Sequence, residues 1–152
     1  MSIKIVKRNI DAVIPSRAHP TDIGLDLVAI KTHKIINSNT IMYDTGIAVS
    51  PPQGFYLEIV PRSSISKTGW VLANSVGIID PDYSGNLYIV LSRVVPLSEE
   101  LELPFCNCQL ILRKAEYAQV IEVDDLNDHI PWDVDITKGR SNGGFGSTGS
   151  RT

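Results

Sequence analysis

The chain has 152 residues, 43% of them hydrophobic and 20% charged, which suits one globular domain with its own core and gives no sign of a second. A formal net charge of -3 and a pI near 5.5 argue against a nucleic-acid partner, whose binding rests on clustered Lys and Arg, but a phosphate-bearing small ligand needs only a few local cations. No run approaches a membrane span and residues 1–9 alternate like a strand, so the expectation is no membrane partner, no export and a cytoplasmic protein, or host nucleus or cytoplasm for a viral chain.

Residues 3–10 predict a first strand, ending near Asp11 and Pro15. A polar connection through His19 and Asp22 leads to a second strand over 23–29, where Asp26 stands between Leu25 and Leu27. On the buried side of that strand Asp26 has to be paired or hydrogen-bonded. On the wet face it is an ordinary exposed acid. Residues 31–43 predict two short strands around the Asn37-Ser38-Asn39 turn, and 46–49 another before Pro51-Pro52-Gln53-Gly54. The strand predicted over 55–60 runs into Pro61-Arg62-Ser63-Ser64, with a short helix starting at Ser63 or Ser64. Two serines after an arginine supply hydroxyl and N–H donors to an anion, or else an ordinary helix cap beside a solvated Arg62.

In residues 74–88, β-rich flanks at 76–79 and 87–91 converge on Pro81-Asp82-Tyr83-Ser84-Gly85, whose Pro, Asp and Gly favour a tight turn. This pattern predicts a hairpin whose tip offers unpaired backbone groups to a planar ligand. Asp80, at the strand's end, could hold and activate a water; alternatively Asp80 and Asp82 only shape the turn. Residues 106–112 predict a strand with Gln109 as its one long polar side chain, and 115–123 a last strand. Cys106 and Cys108, two apart, would share one strand face, too poor a framework for a disulfide scaffold. With His19, His33 and His129 scattered, no zinc site is expected.

Regularly spaced strands with turn signals between them predict an all-β barrel or sandwich. The expected division is a β-barrel domain over 1–123 and, over 124–152, a linker with a glycine-rich arm. The composition of 139–152 suits either a flexible linker or a loop whose backbone wraps a phosphate chain, and Arg140 and Phe145 favour the second.

Five segments, in order, resemble the trimeric deoxyuridine triphosphatase (dUTPase) family. They are Gly24-Leu25-Asp26-Leu27, Pro61-Arg62-Ser63-Ser64, residues 74–85, the segment around Gln109, and 140–149 with its Gly-Gly-Phe-Gly-Ser-Thr-Gly run. The resemblance implies a distorted β-barrel or jelly-roll subunit of the β-clip kind with a flexible C-terminal arm. It also implies a homotrimer with active sites at its subunit interfaces, and Mg2+-dependent hydrolysis of dUTP to dUMP and pyrophosphate by water attack on the α-phosphorus. That reaction keeps uracil out of DNA and supplies dUMP.

By position, the resemblance makes Asp80 the residue that holds the deoxyribose 3′-hydroxyl and the attacking water. Tyr83 would lie under the sugar and exclude a 2′-hydroxyl. Asn74 and the backbone at Gly77 and Ile79 would read the uracil edge. Ser63, Ser64 and Gln109 would face the α- and β-phosphates, with Arg62 also binding the substrate and Asp26 meeting magnesium through water. From the arm, Phe145 would stack on uracil, with Gly146 beside it, while Arg140, Ser147 and Thr148 reach the γ-phosphate.

The chain departs from the family pattern at Pro104-Phe105-Cys106-Asn107-Cys108, where a Gly-acid-Arg-Ile-Ala run is usual, and more mildly at Ser141. Two rival readings use the same scaffold. A dCTP deaminase, or a bifunctional deaminase and dUTPase, would carry a catalytic glutamate where this chain has Val90 and tends to have Gly in place of Asp82. A non-catalytic, nucleotide-gated interaction protein would be signalled by loss of Asp80, Tyr83 or the arm motif, and all three are present.

Overall fold

A computed structural model describes residues 1–125, and Met1–Glu116 form a compact unit by themselves. Among the described residues ten strands follow one another: β1 (Lys4–Lys7), β2 (Leu25–Ala29), β3 (Lys31–Asn37), β4 (Thr40–Asp44), β5 (Ile47–Ser50), β6 (Phe55–Pro61), β7 (Trp70–Leu72), β8 (Gly77–Ile79), β9 (Tyr88–Arg93) and β10 (Phe105–Lys114). A 3-10 turn over Ser63–Lys67 separates β6 from β7. The expected all-β class is the observed one. Among the described residues no helix is long and apolar enough to cross a membrane.

The strands pair antiparallel into two four-stranded sheets, β2-β10-β6-β8 and β3-β4-β9-β7, and a β1-β5 ribbon. Period-two alternation sends Leu27, Leu57, Ile59, Cys108 and Leu110 from the first sheet, and Ile41, Tyr43, Trp70, Leu72, Ile89 and Leu91 from the second, into one shared core. Each fully buried Leu or Ile contributes about 1.5–3 kcal/mol. Tyr43 meets Phe105 edge-on at 4.8 Å, a T-shaped aromatic contact inside that core.

Three sequence expectations are corrected. The first strand stops at Lys7 because the Asn9 side chain captures the Asp11 N–H at 2.9 Å and the Ala12 N–H turns back to Asn9 O. Residues 115–123 form no strand: the Ala115 N–H makes a bond to Gly54 O at 2.8 Å, and beyond it the 51–54 turn takes the partner strand away. The third correction concerns the central turn. Its tightness is as expected, with the Tyr83 N–H donating to Asp80 O at 3.1 Å, but β8 and β9 do not pair. β8 lies against β6 and β9 between β4 and β7, so residues 80–87 cross from one sheet to the other instead of closing a hairpin. β8 is consequently an edge strand, with one side of its backbone free of the ladder.

Candidate active site

Four of the five segments lie on one sheet. Across it run β2 with Asp26, β10 with Gln109, β6 leading into Arg62, and β8 with Gly77 and Ile79. Antiparallel register sets Gln109 opposite Asp26 on one side and opposite Val60 on the other, which brings the first, second and fourth segments to the Pro61 end of the sheet.

At that end the polar side chains hold one another. Arg62 Nε approaches Asp26 Oδ1 at 3.2 Å, with the two side chains 34% and 29% exposed, so Asp26 meets a cation and Arg62 is not merely solvated. The same guanidinium donates from Nη1 to Cys106 O at 2.9 Å and to Cys106 Sγ at 3.3 Å. Gln109 Nε2 donates to Pro61 O at 3.1 Å. A Cβ on Gly24 would fall on the Gln109 amide oxygen, so glycine here leaves room for Gln109 to cross the start of β2 in this position. Arg62 stands in extended backbone at the start of the 3-10 turn, and no side chain caps that turn. The exposed Ser63 and Ser64 hydroxyls are therefore not spent as caps.

The departing segment before Gln109 is a bulge. The β2–β10 register shifts between Phe105 and Cys108, so Phe105 and Cys108 are both buried while Cys106 turns to Arg62. The expectation that the two cysteines share a face fails for this reason. Burial pushes the Cys108 thiol up to about 12; it raises the Cys106 thiol too, against an opposing hydrogen bond from Arg62. The bulge also places Asn107 over the serines. Its carbonyl accepts from the Arg62 N–H at 2.8 Å and its Nδ2 donates to Ser64 Oγ at 3.1 Å. Asn107 was not among the expected site residues, and its only sequence signal was the departure itself.

The third segment starts near this cluster and ends far from it. Asn74 Nδ2 lies 3.3 Å from the place a Cβ on Gly77 would take, so the side chain folds back over β8, and Ser75 is held at φ 60, a rare conformation for a residue with a side chain. Gly77 pairs with Ile59 and Ile79 with Leu57. Gln109 is level with Val60, so Ile79 lies about 10 Å further along β6 and, with β6 between them, about another 10 Å across the sheet. Asp80 is one residue beyond that. Within one chain, then, Asp80 and Tyr83 do not join Asp26, Arg62, Ser64 and Gln109.

Around Tyr83 the turn is well tied. The Tyr83 hydroxyl donates to Asn86 O at 2.8 Å, and its ring crosses Gly85, where a Cβ would overlap the phenol. Burial raises the Tyr83 phenol above its ordinary range, so it remains a donor at neutral pH. Tyr83 and Asp82 line a groove of about 360 Å³ with Lys4 and Val6 of the ribbon and with Arg8 just past β1. Arg140, Phe145, Gly146, Ser147 and Thr148 lie outside the described residues, as does the arm expected to carry them.

A sequence model of the dUTPase family matches residues 11–149. The deoxyuridine 5′-triphosphate nucleotidohydrolase of Crocosphaera subtropica is 32% identical over 150 residues, 98% of this chain and 99% of that protein. Those of Arabidopsis thaliana and Clostridioides difficile are each 32% identical as well, over 96% and 97% of this chain and 82% and 98% of their own lengths. Among solved structures, a variant of the Staphylococcus bacteriophage 80alpha dUTPase with dUpNHpp superposes with a TM-score of 0.76 at 22% identity, covering 98% of this chain and 99% of that one. A variant of the phage phi11 dUTPase, described with a structural Mg(II) ion, gives 0.69 at 22% identity, covering 82% and 98%. With its segments laid out in sequence order, its fold shared with solved dUTPases and its length matched end to end by named relatives, the chain belongs to the dUTPase family.

Proposed function

We propose that this protein hydrolyses dUTP to dUMP and pyrophosphate, in a site that two or more copies complete together. The carrying observation is the convergence of Asp26, Arg62, Ser64 and Gln109 at one end of the sheet, with Asp80 at the other. The first group suits an anion: a cation, hydroxyls and an amide, set on a rigid ladder. The second suits a sugar and a water. Because one chain separates them, the triphosphate of a nucleotide held at Asp80 would meet the donors of a neighbouring copy, which supports the homotrimer with interface sites.

In this reading the outer backbone edge of β8, at Gly77 and Ile79 with Asn74 beside it, reads the uracil edge, as a strand's free edge can for any planar amide-like ligand. Asp80 holds the 3′-hydroxyl and the attacking water and takes a proton from that water as its oxygen bonds to the α-phosphorus. The bond from that phosphorus to the bridging oxygen breaks, and pyrophosphate leaves. Arg62, Ser63, Ser64 and Gln109 stabilise the charge on the α- and β-phosphates. The arm supplies Phe145 to stack on uracil, Gly146 alongside it, and Arg140, Ser147 and Thr148 for the γ-phosphate, closing over the site as a lid.

Magnesium suits the donors present in a limited way. Among the described residues no three His, Cys, Asp or Glu side chains cluster as a metal cage. A single carboxylate is nevertheless what Mg2+ needs when phosphates and waters supply the other ligands. Asp26 shares Oδ1 with Arg62 and would meet the ion's water shell through Oδ2. When bound, the ion would neutralise phosphate charge.

The test is to incubate the protein and Mg2+ with dUTP, dCTP, dTTP and UTP separately and identify the products. Release of dUMP and pyrophosphate from dUTP alone is expected. Deamination of dCTP, or inertness toward all four, would overturn the proposal. Asp80→Asn should lower turnover by about 10²-fold or more while nucleotide binding persists.

A further inference from the structure

The crossing from β8 to β9 is held on its sugar side by an amide with one possible orientation. Asn86 Nδ2 donates to both oxygens of Asp44, at 3.1 and 3.2 Å, and Asn86 Oδ1 accepts from Arg8 Nη1 at 3.4 Å. A carboxylate only accepts and a guanidinium only donates, so the amide cannot be reversed without losing both partners. Asp44 is itself fixed: it is 5% exposed, accepts the Gly46 N–H at 2.7 Å and has Lys31 Nζ at 3.9 Å.

Three elements thereby grip one short stretch of chain. Arg8, just past β1, reaches Ser84 O with Nη2 at 2.7 Å. Asp44, at the end of β4, takes the Asn86 side chain. Next to Asn86, the Leu87 N–H donates to Ile47 O of β5 at 2.8 Å, and Leu87 O accepts from the Thr45 N–H and hydroxyl at 3.1 and 2.8 Å. The carbonyl that receives the Tyr83 hydroxyl belongs to the residue at the centre of this grip. On the Asp80 side, the turn's own Tyr83 N–H to Asp80 O bond is the corresponding backbone link. The bracing is thus concentrated where the phenol is anchored.

We propose that Asn86 is a positioning residue for Tyr83, braced by Asp44 and Arg8, and that it sets how strongly the site rejects a ribonucleotide. The inference rests on Tyr83 lying under the sugar. A phenol that cannot yield leaves no room for a 2′-hydroxyl, whereas one on a loosened carbonyl can move aside, so immobility itself is the source of discrimination.

The test compares kcat/KM for dUTP and for UTP in the full-length protein, with Asn86→Ala, Tyr83→Ala and the double variant, and with thermal melting as the check on folding. Asn86→Ala should narrow the preference for dUTP by about tenfold. Tyr83→Ala should narrow it further, and Asn86→Ala should add nothing to the ratio once Tyr83 is gone. If Tyr83→Ala narrows the preference but Asn86→Ala leaves it within about twofold of the parent, the positioning role is refuted and the reading of Tyr83 stands. An unchanged ratio in Tyr83→Ala would refute that reading and the inference with it. Should Asn86→Ala fail to fold, Arg8→Met removes the exposed brace instead, and the same criteria apply.

Discussion

The two ends of the site-bearing sheet are built on different principles. At the Pro61 end, Asp26 and Gln109 are set opposite each other on one rung of the ladder, and their side chains only have to meet. At the other end, Tyr83 and Asp80 sit beyond the last rung of β8, and side chains from the ribbon and the second sheet hold the turn in place. A phosphate chain needs several donors in fixed relative positions, which a ladder provides. A sugar edge needs one surface that does not move, which a clamp provides.

The strongest challenge to this comparison is to separate the two ends into different chains. Asp80→Asn and Gln109→Ala should each lower activity severely, yet co-expressed they should recover up to about a quarter of parental activity, since some interface sites would then pair an intact Asp80 with an intact Gln109. Mixed oligomers as inactive as their parents would show that each site lies within one chain.

Next in size is Gly24→Ala, which displaces Gln109 from Pro61 O while leaving the clamp alone. The expected loss in kcat/KM for dUTP is about 10–100-fold, with the preference over UTP unchanged. A parallel fall in that preference would mean that the two ends are not independent. Asn107→Ala probes the proposed phosphate end alone. Ser64 Oγ accepts from Asn107, so its own O–H is left to point elsewhere, and losing that bond should cost about three- to tenfold in kcat/KM. In a Ser64→Ala background the Asn107 substitution should be silent; an undiminished effect would assign Asn107 a purely structural role.

The smallest effect lies between the two ends. Glu58 of β6 is held below its ordinary range by a hydrogen bond from the Tyr56 hydroxyl, at 2.7 Å, and by Arg113 at 3.0 Å. A depressed carboxyl stabilises the fold above its unfolded pKa and loses that contribution as pH falls through the folded one. Glu58→Gln should therefore lower Tm by a few degrees at neutral pH, with the gap to the parent closing once pH drops below the ordinary glutamate range. A gap that persists in acid would rule out charge as its cause.

These differences also decide what the sequence discloses. Strands β2, β4, β6 and β10 are written locally in alternating apolar residues, and the ladder end of the candidate site follows from short motifs on them. The pairing of β8 and β9 is not local. Both strands look like hairpin partners because the turn between them is tight, yet tightness fixes only the reversal of the chain, and the pairing of β9 with β4, with Ile89 and Leu91 buried in the shared core, decides where β9 goes. The clamp was invisible for a related reason. Arg8 and Asp44 lie 76 and 42 residues from the groups they hold, and nothing near either marks it as more than an end-of-strand charge. The bulge at Cys106 and Asn107 was signalled only as a mismatch, because its effect, turning Cys106 toward Arg62, depends on a register shift that no motif encodes.

β3, at the rim of the second sheet, is exposed along all seven of its residues. An open edge of that length invites end-on-end joining of copies into fibres, but Lys31 and Lys34 put like charges where a second β3 would have to lie. The protein is in this way steered from growing without limit through its longest free edge. In the proposed shared site, association would fall instead to surfaces that can close on themselves, and a closed ring of few members is the kind of assembly in which the two ends of the other sheet would meet across copies.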